Sequence, residues 1–208
     1  LRVFKDGSGV IQVNVTKQAG DAIADLASQA EAEAGSENTK MMTPLRTKQS
    51  IDANKMTLNT EQTATGALMQ FTGIPATAKR ITVIFNGVSV NGTSNIKIQL
   101  GTTVALEATG YTSTVTSGSG GAYTSSSTSG HMATGQITAA NAYSGHIVFT
   151  KISGNTWIGS GTLLSSGTVA YSISASTKTL AGALTRFGVM SDNLTDVFDS
   201  GTFNAIYE

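Results

Sequence analysis

The chain has 208 residues, of which 39% are hydrophobic and only 12% charged, and its formal net charge is zero. That balance excludes the electrostatic footprint of a nucleic-acid binder or of a protein held on an anionic membrane, and the absence of cysteine excludes disulfides and thiolate metal sites. The apolar fraction is enough for a core, but charge stands at about half the ordinary level, with Ser, Thr, Asn and Gly filling the surface instead.

Charge is also unevenly spread. Residues 1–56 hold 14 of the 26 charged residues, and none lies between Glu107 and Lys151. The break predicts an N-terminal helical segment over 1–56 and a β domain over 57–208. In the first part, Leu1-Arg2-Val3-Phe4 and the run 10–15 flank Lys5-Asp6-Gly7-Ser8-Gly9, and Asp-Gly between apolar runs signals a hairpin. Residues 21–34 are Ala- and Glu-rich with Ile23, Leu26 and Ala30 at helical spacing, and Gly35 is placed to end that helix. Thr43 and Pro44 open a second helix over 44–54, the hydroxyl capping it and the proline sitting where its missing N–H costs nothing. Helices this short and this thinly apolar are marginal alone, so they predict packing against other copies of the chain.

From about residue 64 the period changes to two. The segments 81–85, 96–100, 145–152, 156–164, 169–175, 184–190 and 202–207 alternate apolar with polar residues, and Gly, Asn and Ser clusters separate them. The pattern predicts a mainly β protein whose second part is an antiparallel β-sandwich of jelly-roll type. Residues 109–130 stand out, since 18 of the 22 are Ser, Thr or Gly. Two readings apply: a weakly paired insertion, or a polar loop at a distal tip that offers Tyr111 and Tyr123 for stacking on a ligand.

Candidate chemistry is sparse. Polysaccharide cleavage needs two carboxylates around a cleft, and the available pair is Glu107 with one of Asp192, Asp196 and Asp199. His131 and His146 have no Cys or His-x-His companion, so a strand-end or loop role is favoured over metal ligation. Asp192, Asn193, Asp196 and Asp199 lack the spacing of a calcium loop and predict an Asx-rich turn. Ser117-Gly118-Ser119-Gly120-Gly121 is not followed by Gly-Lys-Ser/Thr and is not a phosphate loop. No catalytic residue, metal or cofactor is expected. Sugar binding is the softer alternative, with Tyr111, Tyr123 and Tyr143 as aromatic faces and His131 beside them, while Trp157, inside a strand, is expected in the core. No apolar run approaches the roughly 18 residues of a spanning helix, so membrane insertion is not expected.

Two stretches resemble a known family. Glu33-Ala34-Gly35-Ser36-Glu37-Asn38-Thr39-Lys40 and the run Met42-Thr43-Pro44-Leu45-Arg46-Thr47-Lys48-Gln49 up to Ile51-Asp52 resemble a module of tailed-bacteriophage tail-fibre proteins. Phe71-Thr72-Gly73-Ile74-Pro75, the run 78–89, the segment 95–100, Glu107-Ala108-Thr109-Gly110-Tyr111, Asn155-Thr156-Trp157 and the close over 198–208 resemble a C-terminal fibre-tip module of the same proteins. The resemblance implies a homotrimeric virion protein whose residues 1–30 contact tail or baseplate proteins and whose head binds a host cell-surface glycan. It carries no catalytic motif. A head fibre or decoration protein without a receptor, a depolymerase, and a cellular adhesin or lectin are the competing expectations.

Overall fold

The computed structural model describes residues 2–5, 7–8, 11–14, 26–35, 40–118, 122–135, 138–139, 141–166 and 170–208. They form two compact units, Leu1–Lys55 and Met56–Glu208.

In the first unit, β1 (Arg2–Lys5) and β2 (Ile11–Asn14) pair antiparallel as the hairpin signal predicts, although Asp6 and Gly9 of the expected turn lie outside the described residues. Helix α1 (Gln29–Ala34) is shorter than expected. Leu26 is extended in a bridge to Met41, and Ser28 starts the helix with a capping box in which its hydroxyl accepts from Glu31 N and Glu31 accepts from Ser28 N. Residues 21–25 of the predicted helix lie outside the described residues. Gly35 ends α1 at φ 64°, a left-handed conformation that glycine adopts without a Cβ penalty. Helix α2 (Pro44–Asn54) begins as predicted, with Thr43 Oγ1 accepting from Arg46 N at 3.2 Å. The two helices pack together, burying Ala32, yet Leu26, Met41, Leu45 and Ile51 stay exposed.

The second unit is built of antiparallel strands: β3 (Thr57–Leu58), β4 (Gln62–Thr63), β5 (Leu68–Thr72), β6 (Arg80–Val90), β7 (Ile96–Gly101), β8 (Tyr111–Gly118), β9 (Ala122–Ser127), β10 (His131–Met132), β11 (Tyr143–Ser153), β12 (Thr156–Ser165), β13 (Ala170–Thr179), β14 (Arg186–Ser191) and β15 (Phe198–Tyr207). A small sheet has the order β10-β7-β14-β5; a large one runs β3-β15-β6-β11-β12-β13-β8-β9, with β4 also on β15. Both sheets contribute to one buried core. From the small sheet come Phe71 and Phe187, stacked at 4.7 Å; from the large one come Phe85, Phe203 and Phe198 in edge-to-face contacts near 5 Å. Trp157 is buried with them, as expected.

The stretch 109–130 is not a loop. It supplies β8 and β9, and its alternation is real but written in serine: Tyr111, Ser113, Val115 and Ser117 point inward, and Thr112, Thr114 and Thr116 outward. The inward hydroxyls work as acceptors for a buried neighbour. Ser113 Oγ takes Met132 N at 2.8 Å, and Ser117 Oγ takes Gly135 N at 3.1 Å and pairs with Ser172 Oγ at 2.7 Å. Backbone donors without partners in a core cost about 1–3 kcal/mol each, so these serines do what apolar residues could not.

Candidate functional site

The structure separates the residues expected to meet a ligand. Tyr111, at the start of β8, is 2% exposed, and its hydroxyl accepts Leu100 N of β7 at 2.7 Å, tying the large sheet to the small one. Burial holds its phenol well above the usual tyrosine range. Tyr143, at the start of β11, is likewise buried, with its phenol also raised by burial. His131 is fully buried between strands: Nδ1 meets Ser176 Oγ at 2.7 Å, Nε2 meets Ser174 Oγ at 2.9 Å, and the ring lies edge-on to Phe149. Gly159 makes this possible, because a Cβ there would come within 2.9 Å of His131 Nδ1 and 2.6 Å of Phe149. The glycan-facing role expected of Tyr111, Tyr143 and His131 is therefore corrected, since buried rings have no face to offer. Tyr123 alone of the four is on the surface, on the edge strand β9. Tyr111→Phe should lower unfolding stability by about 1–3 kcal/mol, because Leu100 N loses its buried acceptor. Chemical denaturation reads the change; an unaltered midpoint would mean the phenol is not holding the sheets.

The other expected constellations also come apart. Glu107 sits beyond the Gly101 end of β7, whereas Asp192, Asp196 and Asp199 follow β14, whose end pairs with the start of β7, so the carboxylate pair proposed for cleavage does not form. Asp192 bonds Lys97 Nζ at 2.7 Å, Asp196 Oδ2 accepts Ser94 N at 2.8 Å, and Asp199 accepts from the Ser89 hydroxyl. Asn193 Oδ1 accepts from both Thr195 N and Asp196 N at 3.0 Å, which is the Asx turn the sequence predicts. Hydrogen bonds centred on Asn193 and Ser94 hold the Asp196 carboxyl below its usual value. His131, on β10 of the small sheet, points into the core, whereas His146, on β11, is exposed on the outward face of the large sheet. Among the described residues no group of three or more His, Asp or Glu side chains could hold a metal ion.

What the fold does assemble lies on the outward face of β15, β6 and β11. An open groove of about 770 Å³ is lined there by Glu61, Arg80, Asn86, His146 and Asn204, with Ile84 and Val148 among them. Strand register sets the pattern: Asn204 stands opposite Ile84, and Ile84 opposite His146. A cavity of about 220 Å³ shares Arg80 and Thr82 with it and adds Ile206, Tyr207 and Glu208. Three contacts fix the polar groups. Arg80 Nε meets Glu208 Oε1 at 2.9 Å, and Thr202 Oγ1 donates to Glu61 Oε1 at 2.6 Å while accepting from Asn86 Nδ2 at 3.3 Å. No protein family, curated protein or solved structure matches this chain. The groove and the cavity beside it therefore speak through their own chemistry: amide and hydroxyl groups, the Arg80 guanidinium with the carboxylates of Glu61 and Glu208, small apolar patches, and the Tyr207 ring at one end. Sequence pattern alone marks none of these as site residues, His146 entering only as a possible metal ligand. The signal present there was the period of two, which places 80, 82, 84 and 86 on one face.

Proposed function

We propose that this chain is a virion fibre protein of a tailed bacteriophage, acting by adhesion and not by turnover. In this reading Met56–Glu208 is a jelly-roll-like β-sandwich head that holds a host cell-surface glycan in the β15–β6–β11 groove. The observation that carries it is the groove's lining. Amide and imidazole groups at Asn86, Asn204 and His146 meet hydroxyls, Ile84 and Val148 meet ring C–H surfaces, and Tyr207 offers an aromatic face. The resemblance over 33–52 and 71–208 supports the virion assignment, with residues 1–30 as the contact to tail or baseplate proteins. A homotrimer is supported by the first unit, where Leu45 is 61% and Ile51 63% exposed on a helix too short to stand alone. Three heads on one particle multiply modest site affinities into firm attachment. The chain is released with the virion at lysis and needs no cofactor, nucleic acid or membrane insertion.

Binding of the purified full chain to an array of bacterial surface polysaccharides tests the reading. Asn204→Ala and His146→Ala should each weaken the retained glycan about tenfold, the loss of one good hydrogen bond, while Tyr123→Ala leaves it unchanged. No retained glycan, or binding by both groove variants as tight as that of the unaltered chain, would sink the adhesion reading. Labelled virions locate the chain: signal on the capsid would make it a head fibre or decoration protein instead.

A further inference from the structure

The outward face of the large sheet is divided in two. Its β15–β6–β11 half carries Arg80 and His146, with Glu61 beside them. Over β12, β13, β8 and β9 the outward positions are Ile158, Ser160, Thr162 and Leu164, then Tyr171, Ile173, Ala175 and Thr177, then a file of threonines and Ser126, and none is charged. Leu164 stands directly opposite Tyr171, and Ile173 opposite Thr162, so the apolar side chains adjoin. All are open to solvent, Leu164 at 56%, Ile173 at 54%, Tyr171 at 50% and Ile158 at 46%. The hydroxyls around them are partly spent within the sheet. Thr116 pairs with Thr124 at 3.3 Å, Thr114 donates to Ser125 O at 3.3 Å, and Thr156 pairs with Thr179 at 2.9 Å. Hydroxyls engaged in this way have less capacity left for water.

A contiguous exposed apolar patch on a soluble protein marks an interaction surface. The chemistry narrows the occupant. A charged partner finds no counter-charge over four strands. The same neutral face on other copies of the chain, by contrast, approaches it without like-charge repulsion and with methyl and aliphatic groups on each side of the contact. The scale also fits. Four strands about 4.8 Å apart and about seven residues long give a flat footprint of roughly 450 Å², which side-chain relief brings near one partner's share of a standard interface. We propose that the outward face of β12, β13, β8 and β9 is the surface on which other copies of this chain pack. This rests on the homo-oligomer in the reading above, and not on the glycan.

The absence of cysteine supplies the test. Single Ile173→Cys and Val104→Cys variants of the full chain are labelled with a maleimide at a concentration where sedimentation shows the assembled state. Val104, 86% exposed between β7 and β8, reports an open surface. The thiol at 173 should react about tenfold more slowly than that at 104, as expected of a site that must open before it reacts. Thr114→Cys, on the same face, should be slowed similarly and decides the matter where Ile173→Cys does not assemble. Equal rates in an assembled protein would overturn the face and leave the oligomer standing; a monomeric full chain would overturn both, with glycan retention by that monomer still read separately.

Discussion

Replacing Glu107 by leucine should cost about 3 kcal/mol of unfolding stability, because it strands a buried ammonium. Lys178 lies on β13 with its side chain 6% exposed, and its Nζ meets Glu107 Oε2 at 2.6 Å, donates to Thr109 O at 2.9 Å, and sits 5.3 Å from the centre of the Tyr111 ring. Glu107 is engaged twice, since its other oxygen accepts Ala181 N at 2.9 Å. One ion pair thus joins the segment before β8 to the end of β13 and the turn after it. Lys178→Met should cost less, because Glu107 retains the Ala181 N–H and is 21% exposed. The double variant should recover much of the loss, since replacing both members of a buried pair with apolar groups of similar size removes the desolvation penalty as well as the attraction. A double-mutant cycle in urea gives the coupling directly. A cost below about 1 kcal/mol for Glu107→Leu would place the pair with surface salt bridges, and the anchoring role would fall.

How far the sequence was legible depended on what its inward positions were made of. Strand β6 was readable because Ile81, Val83 and Phe85 put apolar groups on successive inward positions, and Ile96, Ile98 and Leu100 of β7 keep the same period. Strand β8 obeys the same geometry with Ser113 and Ser117 at inward positions, where a hydroxyl accepts a backbone N–H instead of filling apolar space. A hydrophobicity pattern registers that as loop. The misplacement of Tyr111 followed from it: an aromatic read as loop-borne suggested a ligand face, and as the first residue of a strand it staples two sheets. Helix α2 was legible to its first residue because caps are local, needing only Thr43, Pro44 and the N–H of Arg46. The groove was not, because Arg80, His146 and Asn204 come together only through the order β15-β6-β11, which no local pattern announces.

Acid should unfold the head in a pH window set by His131. Burial alone drives that imidazole down from 6.5 to about 3, so the folded chain keeps it neutral while the unfolded chain protonates it near pH 6.5. Between those values the unfolded state binds the extra proton, and stability rises with pH there: it is full above 6.5 and is lost as pH falls from 6.5 toward 3. The loss should be about 3 kcal/mol by about pH 4.5 and on the order of 4 kcal/mol near pH 3, at a limiting slope of about 1.4 kcal/mol per pH unit. The first part of this window is the diagnostic one, because carboxylates such as Asp196, held below their usual value, add their own loss only at lower pH. His131→Gln keeps hydrogen-bonding capacity toward Ser174 and Ser176 but cannot take up the proton. It should be less stable than the native chain at neutral pH and should show a flat profile from pH 6.5 to about 4.5, where the native chain slopes. The same slope in both proteins would mean that another group titrates on unfolding and that the imidazole is not sealed in the core.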